Sequence, residues 1–226
     1  MGVGNGNSTR SFLTLSVAAV LLLLPCFVSS QTATHFSPTA SALAQEQFLG
    51  ALVAAAVERT HHTVRYDPAY VRIAYPGGDV PADTGVCTDE VIRAYRAVGI
   101  DLQREVHEDM EKHIAAYPRK WSSTPRVAAP STDTNIDHRR VPNLMVFFSR
   151  NGKSLPLSEN DADYHPGDLV AWNLGGGVTH LGIVVDQKSL ESRRYLIVHN
   201  IGRGPQMEDV LFNWKIIGHY SYAGRN

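Results

Sequence analysis

The sequence predicts an α+β fold in one domain, with helices first and an antiparallel sheet in the last third. Three segments carry apolar residues at helical spacing, at residues 41–60, 86–98 and 101–118. Four later segments, GDLVAWNL, THLGIVVD, RYLIVHNI and IGHYSYAG, are rich in β-branched and aromatic residues and are separated by glycine-containing or polar turns. That pattern predicts four strands.

Glycine and proline residues set the expected ends of the second and third helices. The second helix is expected to stop at Gly99 and the third at Pro118, since both residues commonly follow a helix terminus. Residues 119–143 contain Pro, Ser, Thr and a charged cluster, which predicts an irregular loop. The apolar run LMVFFSRNG then predicts a strand that ends in a turn.

Composition and charge exclude several classes of function. The chain has 226 residues, 43% hydrophobic and 19% charged, with a formal net charge of −1. Without a basic face there is nothing to neutralise phosphates, so no nucleic-acid partner is expected. The sequence shows no nucleotide-binding glycine motif and no HxH or HExxH cluster, so we expect no cofactor and no metal.

The first 30 residues have the features of a signal peptide. A positive charge at Arg10 precedes an apolar run, and Val28 and Ser30 suit the small positions before a cleavage site. A retained membrane anchor is the alternative, but the break at Pro25 favours cleavage. We therefore expect a periplasmic or secreted protein, monomeric and not stably inserted in the membrane, with an extension at residues 31–47 and the domain at 48–226.

Cleavage would remove Cys26 and leave Cys87 as the only thiol of an exported chain. A leftover cysteine in such a protein indicates an intermolecular disulfide, a reactive thiol or a buried structural thiol. Cys87 lies in the first turn of the second predicted helix, with Asp83 or Thr84 as its cap. The positive end of a helix stabilises a thiolate, so this position favours a nucleophile with a lowered pKa.

A base and an orienting group follow in the strands. His180 begins the segment THLGIVVD, where a neutral imidazole could take the thiol proton or pair with a thiolate. The next strand ends in His199 and Asn200, and either side chain could bond to the other ring nitrogen of His180. Arg203 and Glu208, shortly afterwards, are further candidates to line the cleft.

These motifs resemble the NlpC-type branch of the papain-like cysteine peptidases. More narrowly, GGDVPADTGVCTDEVIRAYRAVGIDLQ, NIDHRRVPNL, PGDLVAWNL and THLGIVVD resemble the YijF-like bacterial envelope family, a domain of unknown function. The resemblance covers residues 48–222. It implies a papain-like fold with Cys87 as nucleophile, His180 as base and His199 as the third residue. The usual DCSG around the nucleophile is replaced by VCTD, which leaves subsite recognition open.

The charged cluster NIDHRRVPN is either a solvated loop or a substrate site. An arginine fork there would hold a carboxylate, and the stem peptides of peptidoglycan carry free carboxylates. The candidate substrate-binding residues are Asp89, Asp137, His138, Arg139, Arg140 and Asn200.

The leading hypothesis is therefore an exported cysteine hydrolase of amide bonds in peptidoglycan or another envelope peptide. Two alternatives stay open: a zinc hydrolase that uses Cys87, His180 and His199 as ligands, and a non-catalytic module that binds envelope peptide. The sequence does not determine which bond is cleaved, or whether water or another acceptor releases the acyl-enzyme.

Overall fold

The computed structural model describes residues 39–118 and 131–225, together with residues 1, 2, 4 and 6. The rest of the predicted signal segment, and residues 119–130 of the predicted loop, lie outside this part of the chain. The chain divides into two units, Met1–Ser37 and Pro38–Asn226, and the second holds all the elements described below. Its helices precede a large antiparallel sheet, which confirms the predicted α+β class.

Four helices form the first part of this unit: α1 (Ala40–Arg59), α2 (Cys87–Ala97), α3 (Leu102–His113) and α4 (Val141–Asn151). The first three confirm the helices predicted from periodicity. Helix α1 begins where the Thr39 hydroxyl accepts the Ala42 N–H. Among the described residues it is the only helix long and apolar enough to cross a membrane, by length and composition alone. Its second half buries Leu52, Val53 and Ala56 in the core.

Helix α4 corrects the strand predicted for LMVFFSRNG. Pro142 occupies the first turn of the helix, where its missing N–H costs nothing. Leu144, Phe147 and Phe148 follow at helical spacing and are fully buried. Each such side chain stabilises the fold by roughly 1.5–3 kcal/mol. A short apolar run fits a strand or a helix equally well, so its packing on the sheet decided the outcome.

The strands are β1 (Arg65–Tyr66), β2 (Thr84–Gly85), β3 (Lys153–Ser154), β4 (Leu169–Asn173), β5 (Thr179–Lys188), β6 (Tyr195–His199), β7 (Gln206–Glu208) and β8 (Lys215–Ser221). Strands β1 and β2 form a small parallel pair. The other six form one sheet in the order β3-β8-β4-β5-β6-β7, and every pairing is antiparallel. Strands β4, β5, β6 and β8 confirm the four predicted strands, whereas the short β3 and β7 were not predicted.

The sheet has two apolar faces. Leu181 and Ile183 of β5 pack in the main core with Cys87 and the helices, and Trp172 and Val184 pack in a second cluster. Because side chains alternate along a strand, His180 and His199 share the face of the second cluster. Helix α2 therefore approaches β5 from one side, and the two histidines extend from the other.

Candidate active site

Cys87 is the first residue of α2 and is 4% exposed. The carboxylate of Asp89 accepts the Val86 N–H at 2.7 Å, which closes the first turn from the side of the loop. The guanidinium of Arg93 donates to the carbonyl of Thr84 at 2.9 Å and to that of Pro81 at 3.2 Å, which fixes the approach to the helix. The position of the thiol is thus set by one turn of helix and the loop before it.

The sulfur of Cys87 lies beside a backbone amide of the sheet. The N–H groups of Leu181, Thr88 and Cys87 itself each lower the pKa of the thiol. By the register of β5 and β6, Leu181 would face Asn200, one residue beyond the end of β6. The sulfur therefore lies close to Leu181, the residue that follows His180.

Burial overrides the helix dipole at this thiol. It raises the pKa of Cys87 to about 12, and the Asp89 carboxylate adds to the increase, while the three amides oppose it. The lowered pKa expected from the position at the helix terminus is therefore wrong. The structure favours a neutral thiol, because loss of hydration outweighs the partial charges of the first turn.

The two strand histidines bond to each other. Nε2 of His180 lies 2.8 Å from Nδ1 of His199, and the rings meet edge to face. Nε2 of His199 lies 2.9 Å from an oxygen of Glu208, so the contacts continue to a carboxylate. Trp172 packs against the ring of His180, and Trp214 packs against both histidines.

Burial also keeps both histidines neutral. Burial, together with a smaller effect of the neighbouring His199, lowers the pKa of His180 to about 3. Burial lowers the pKa of His199 too, against the opposing effect of Glu208. At neutral pH the site therefore combines a thiol with two neutral imidazoles. Each neutral imidazole has one nitrogen that can accept a proton.

His199, and not Asn200, contacts His180. The side-chain oxygen of Asn200 accepts the N–H of Gly202 at 3.1 Å, which closes a local turn. Its amide nitrogen is buried without a partner among the described residues. Of the two residues that the sequence left open, the geometry thus selects the histidine as the group that orients His180.

Asp89 and Arg139 form a buried ion pair with two hydrogen bonds, at 2.8 and 2.9 Å, and each side chain is 2% exposed. Arg139 also donates to the carbonyl of Ala69. Substrate contact by Asp89 and Arg139 stays a prediction. The pair ties the loop before α4 to the first turn of the helix that carries Cys87.

Asp137 and His138 are also directed into the protein. Asp137 bonds to His107 at 2.9 Å and accepts the N–H of Asp133. His138 is 2% exposed, and burial lowers its pKa to about 3. Neither residue lines the opening beside Cys87, so the prediction that they bind substrate is not supported by their placement.

A cleft of about 290 Å³ opens at Cys87, and we refer to it as the Cys87 cleft. It is lined by Tyr66, Pro68, Tyr70, Val86, Cys87, Thr88, Ile136, Arg139, Arg140, Val141, Pro142 and Thr179. Arg139 and Arg140 are therefore the predicted substrate residues that the structure places at the cleft. Tyr66 and Tyr70 were not predicted to line the cleft. They lie well before α2 in the sequence, and nothing in the local pattern indicates that they contact it.

The zinc alternative requires three ligands aimed at one point. Nε2 of His180 and Nδ1 of His199 are instead aimed at each other. Among residues 39–118 and 131–225, no group of three or more His, Cys, Asp or Glu side chains is arranged to hold a metal ion. The arrangement fits proton transfer better than metal binding.

The fold and the site define an α+β protein with a cysteine at the start of a helix and a hydrogen-bonded histidine pair on the adjoining antiparallel sheet. The chain belongs to the family described as "Domain of unknown function (DUF1287)", whose model matches residues 53–222. It is 47% identical over 204 residues to the "Uncharacterized protein YijF" of Escherichia coli K12, covering 90% of this chain and 96% of that protein. The resemblance to the YijF-like family inferred from the motifs is therefore confirmed.

Two crystal structures of an N-acetylmuramoyl-L-alanine amidase from Bacteroides uniformis are more distantly similar. Each is 13% identical and covers 77% of this chain and 97% of its own, with TM-scores of 0.43 and 0.44. At these TM-scores the likeness carries no argument about function.

Proposed function

We propose that this protein is an exported cysteine hydrolase that cleaves an amide bond through an acyl-enzyme. Cys87 is the nucleophile, His180 the general base and His199 the residue that orients it. One observation carries the proposal: His180, whose ring is hydrogen-bonded to His199, directly precedes Leu181, whose amide acts on the Cys87 thiol. Each residue alone has a structural explanation, but a thiol at a cleft and a paired imidazole on the adjoining strand, next to Leu181, are the residue types that nucleophilic catalysis requires.

The reaction starts from neutral groups, because burial disfavours both the thiolate and the imidazolium. His180 takes the proton of the Cys87 thiol as the sulfur attacks the carbonyl carbon of the substrate. The tetrahedral intermediate collapses when His180 returns that proton to the leaving amine, which leaves a thioester on Cys87. Water then attacks the thioester, with His180 as base again, and restores the free thiol.

The amides around the sulfur supply the electrostatic part of the catalysis. The N–H groups of Cys87, Thr88 and Leu181 converge on this point, and they would stabilise the negative charge that develops on the substrate oxygen. They are held by α2 and β5, so the donors need no rearrangement during the reaction.

The proposed substrate is a stem peptide of peptidoglycan or another envelope peptide. Tyr66 and Tyr70 offer aromatic surface at the Cys87 cleft, and Arg140 places a cation at the same opening. A peptide with a free carboxylate near the scissile bond fits that combination. Export, which this substrate requires, rests on the signal-like segment at residues 1–30.

The test is hydrolysis of purified peptidoglycan by the mature protein, with released amines and fragment masses as the readout. We expect Cys87→Ala to abolish release and to fold normally, because alanine fills most of the volume of a buried thiol. His113→Ala, at a partly exposed histidine away from the cleft, is the matched control and should retain full activity. Full activity of Cys87→Ala would rule out the mechanism, whereas tight binding of fragments without turnover by the wild type would favour the binding module.

A further inference from the structure

Glu208 ends a chain of hydrogen bonds that begins at the base. Its carboxylate lies 2.9 Å from Nε2 of His199, whose Nδ1 lies 2.8 Å from Nε2 of His180. Strand β7 pairs Glu208 with Ile197, two residues before His199 on the same face of β6. A long side chain reaches such a diagonal neighbour. The side chain of Glu208 is 41% exposed and that of His199 is fully buried, so the chain runs from the surface to the interior.

The Glu208 carboxylate determines which ring nitrogen carries the hydrogen in each of the two histidines. An ionised carboxylate only accepts hydrogen bonds, so Nε2 of His199 must carry the hydrogen. A neutral imidazole has one N–H group, so Nδ1 of His199 must accept, and Nε2 of His180 must donate to it. That leaves Nδ1 of His180 with the lone pair.

We propose that Glu208 is a positioning residue that, acting through His199, fixes Nδ1 as the proton-accepting nitrogen of His180. The consequence for catalysis rests on the proposed function, whereas the assignment of the tautomer does not. When Nδ1 takes the thiol proton, the new imidazolium keeps its Nε2–H bond to His199. The Glu208 carboxylate then faces the positive charge through one intervening ring, which favours the protonated state.

Replacement of Glu208 by a side chain that only donates should reverse the donor and the acceptor in both hydrogen bonds, and so switch the tautomer of each histidine. In Glu208→Lys the ammonium donates to Nε2 of His199, so Nδ1 of His199 carries the hydrogen and donates to Nε2 of His180. Nδ1 of His180 then holds the hydrogen and can no longer accept the thiol proton. Position 208 is exposed enough for the lysine to reach solvent as well, and Glu208→Gln, whose amide both donates and accepts, should give a mixture of tautomers.

The experiment is nitrogen NMR of the mature protein labelled with 15N at histidine, with the signals assigned through His180→Gln and His199→Gln. We expect the Nε2–H tautomer of His180 in the wild type, the Nδ1–H tautomer in Glu208→Lys, and no change in Glu191→Lys, which reverses an exposed charge in the turn between β5 and β6. Alkylation of Cys87 by iodoacetamide should slow by about tenfold or more in Glu208→Lys only, in line with loss of a general base.

An unchanged His180 tautomer in folded Glu208→Lys and Glu208→Gln would overturn the inference. If the tautomer inverts but the wild type hydrolyses no envelope peptide, the proposed function fails and the assignment of Glu208 stands. The NMR readout needs no substrate, so the two failures are distinguishable.

Discussion

The imidazoles of His180 and His199 share a hydrogen bond of 2.8 Å although 19 positions separate them in the chain. Strand β5 begins at Thr179 and β6 ends at His199, and the antiparallel pairing of the two strands places these termini side by side. Each ring is thereby held by its own strand and by its neighbour. Such double support is what a general base requires to stay aligned between catalytic cycles.

Loss of the His180 ring should lower kcat more than loss of the His199 ring. We expect His180→Ala to lower kcat by at least about 100-fold, since it removes the base itself. His199→Ala should lower kcat less, and His199→Asn should recover part of that loss because its amide oxygen can still accept from His180. Initial rates of amine release from peptidoglycan fragments measure all three. Equal activities of the two His199 variants would contradict the orienting role.

Reactivity of Cys87 should vary little between pH 5 and pH 9. With a thiol pKa near 12 and a His180 pKa near 3, the thiol and the imidazole both stay neutral over this range and no thiolate–imidazolium pair accumulates. The rate of alkylation by iodoacetamide with His180 as base, followed by intact mass from pH 5 to 9, should therefore stay nearly constant. A rate that rises with a midpoint below the ordinary thiol pKa of about 8.5 would instead show a resting ion pair.

Stability should fall on mild acidification. His138 and His180 have folded-state pKa values near 3, below the unfolded value, so below pH ~6.5 the unfolded chain binds protons that the folded chain does not. The stabilisation is complete above that pH and is lost progressively towards pH 3, at a cost of roughly 2 kcal/mol per histidine at pH 5. Urea unfolding at pH 7 and pH 5 tests this. His138→Gln should reduce the difference between the two pH values, and an identical pH dependence in that variant would contradict the assignment.

The buried pair of Asp89 and Arg139 should be important for stability. Arg139→Met leaves the Asp89 carboxylate buried without its cation, and we expect a loss of about 3–5 kcal/mol in the free energy of unfolding. Arg65→Met breaks an exposed ion pair to Asp67 and should cost less than about 1 kcal/mol. Chemical denaturation of both variants makes the comparison, and similar losses would show that burial of the first pair is unimportant.

Gly182 leaves room for the histidine pair. A Cβ added there would lie 2.6 Å from Cγ2 of Ile197 and 3.2 Å from Cβ of His199. We expect Gly182→Ala to destabilise the protein by about 1–3 kcal/mol through overpacking and to displace His199. The thermal midpoint and kcat should therefore fall together. An unchanged kcat in a destabilised Gly182→Ala would show that His199 tolerates the shift.

Periodicity was sufficient for three helices and four strands, and it failed at one apolar run. LMVFFSRNG has no alternation that excludes a helix, and Phe147 and Phe148 became helical because that conformation buries both rings against the sheet. The short strands β3 and β7 have two and three residues, too few for any pattern to show. Sequence reasoning is weakest where the neighbouring elements, and not the local residues, decide the conformation.

The sequence by itself determined the chemical types at the site: a lone cysteine at a helix start, a histidine at a strand start and a polar residue at the end of the next strand. These follow from local composition and spacing. Only the tertiary structure decided that His199 and not Asn200 contacts His180, that Glu208 joins them, and that Asp89 and Arg139 bond to each other. It also decided that burial raises the pKa of Cys87. Hydrogen-bond partners and loss of hydration depend on residues far apart in the chain, and strand register and burial bring them together only in the folded state.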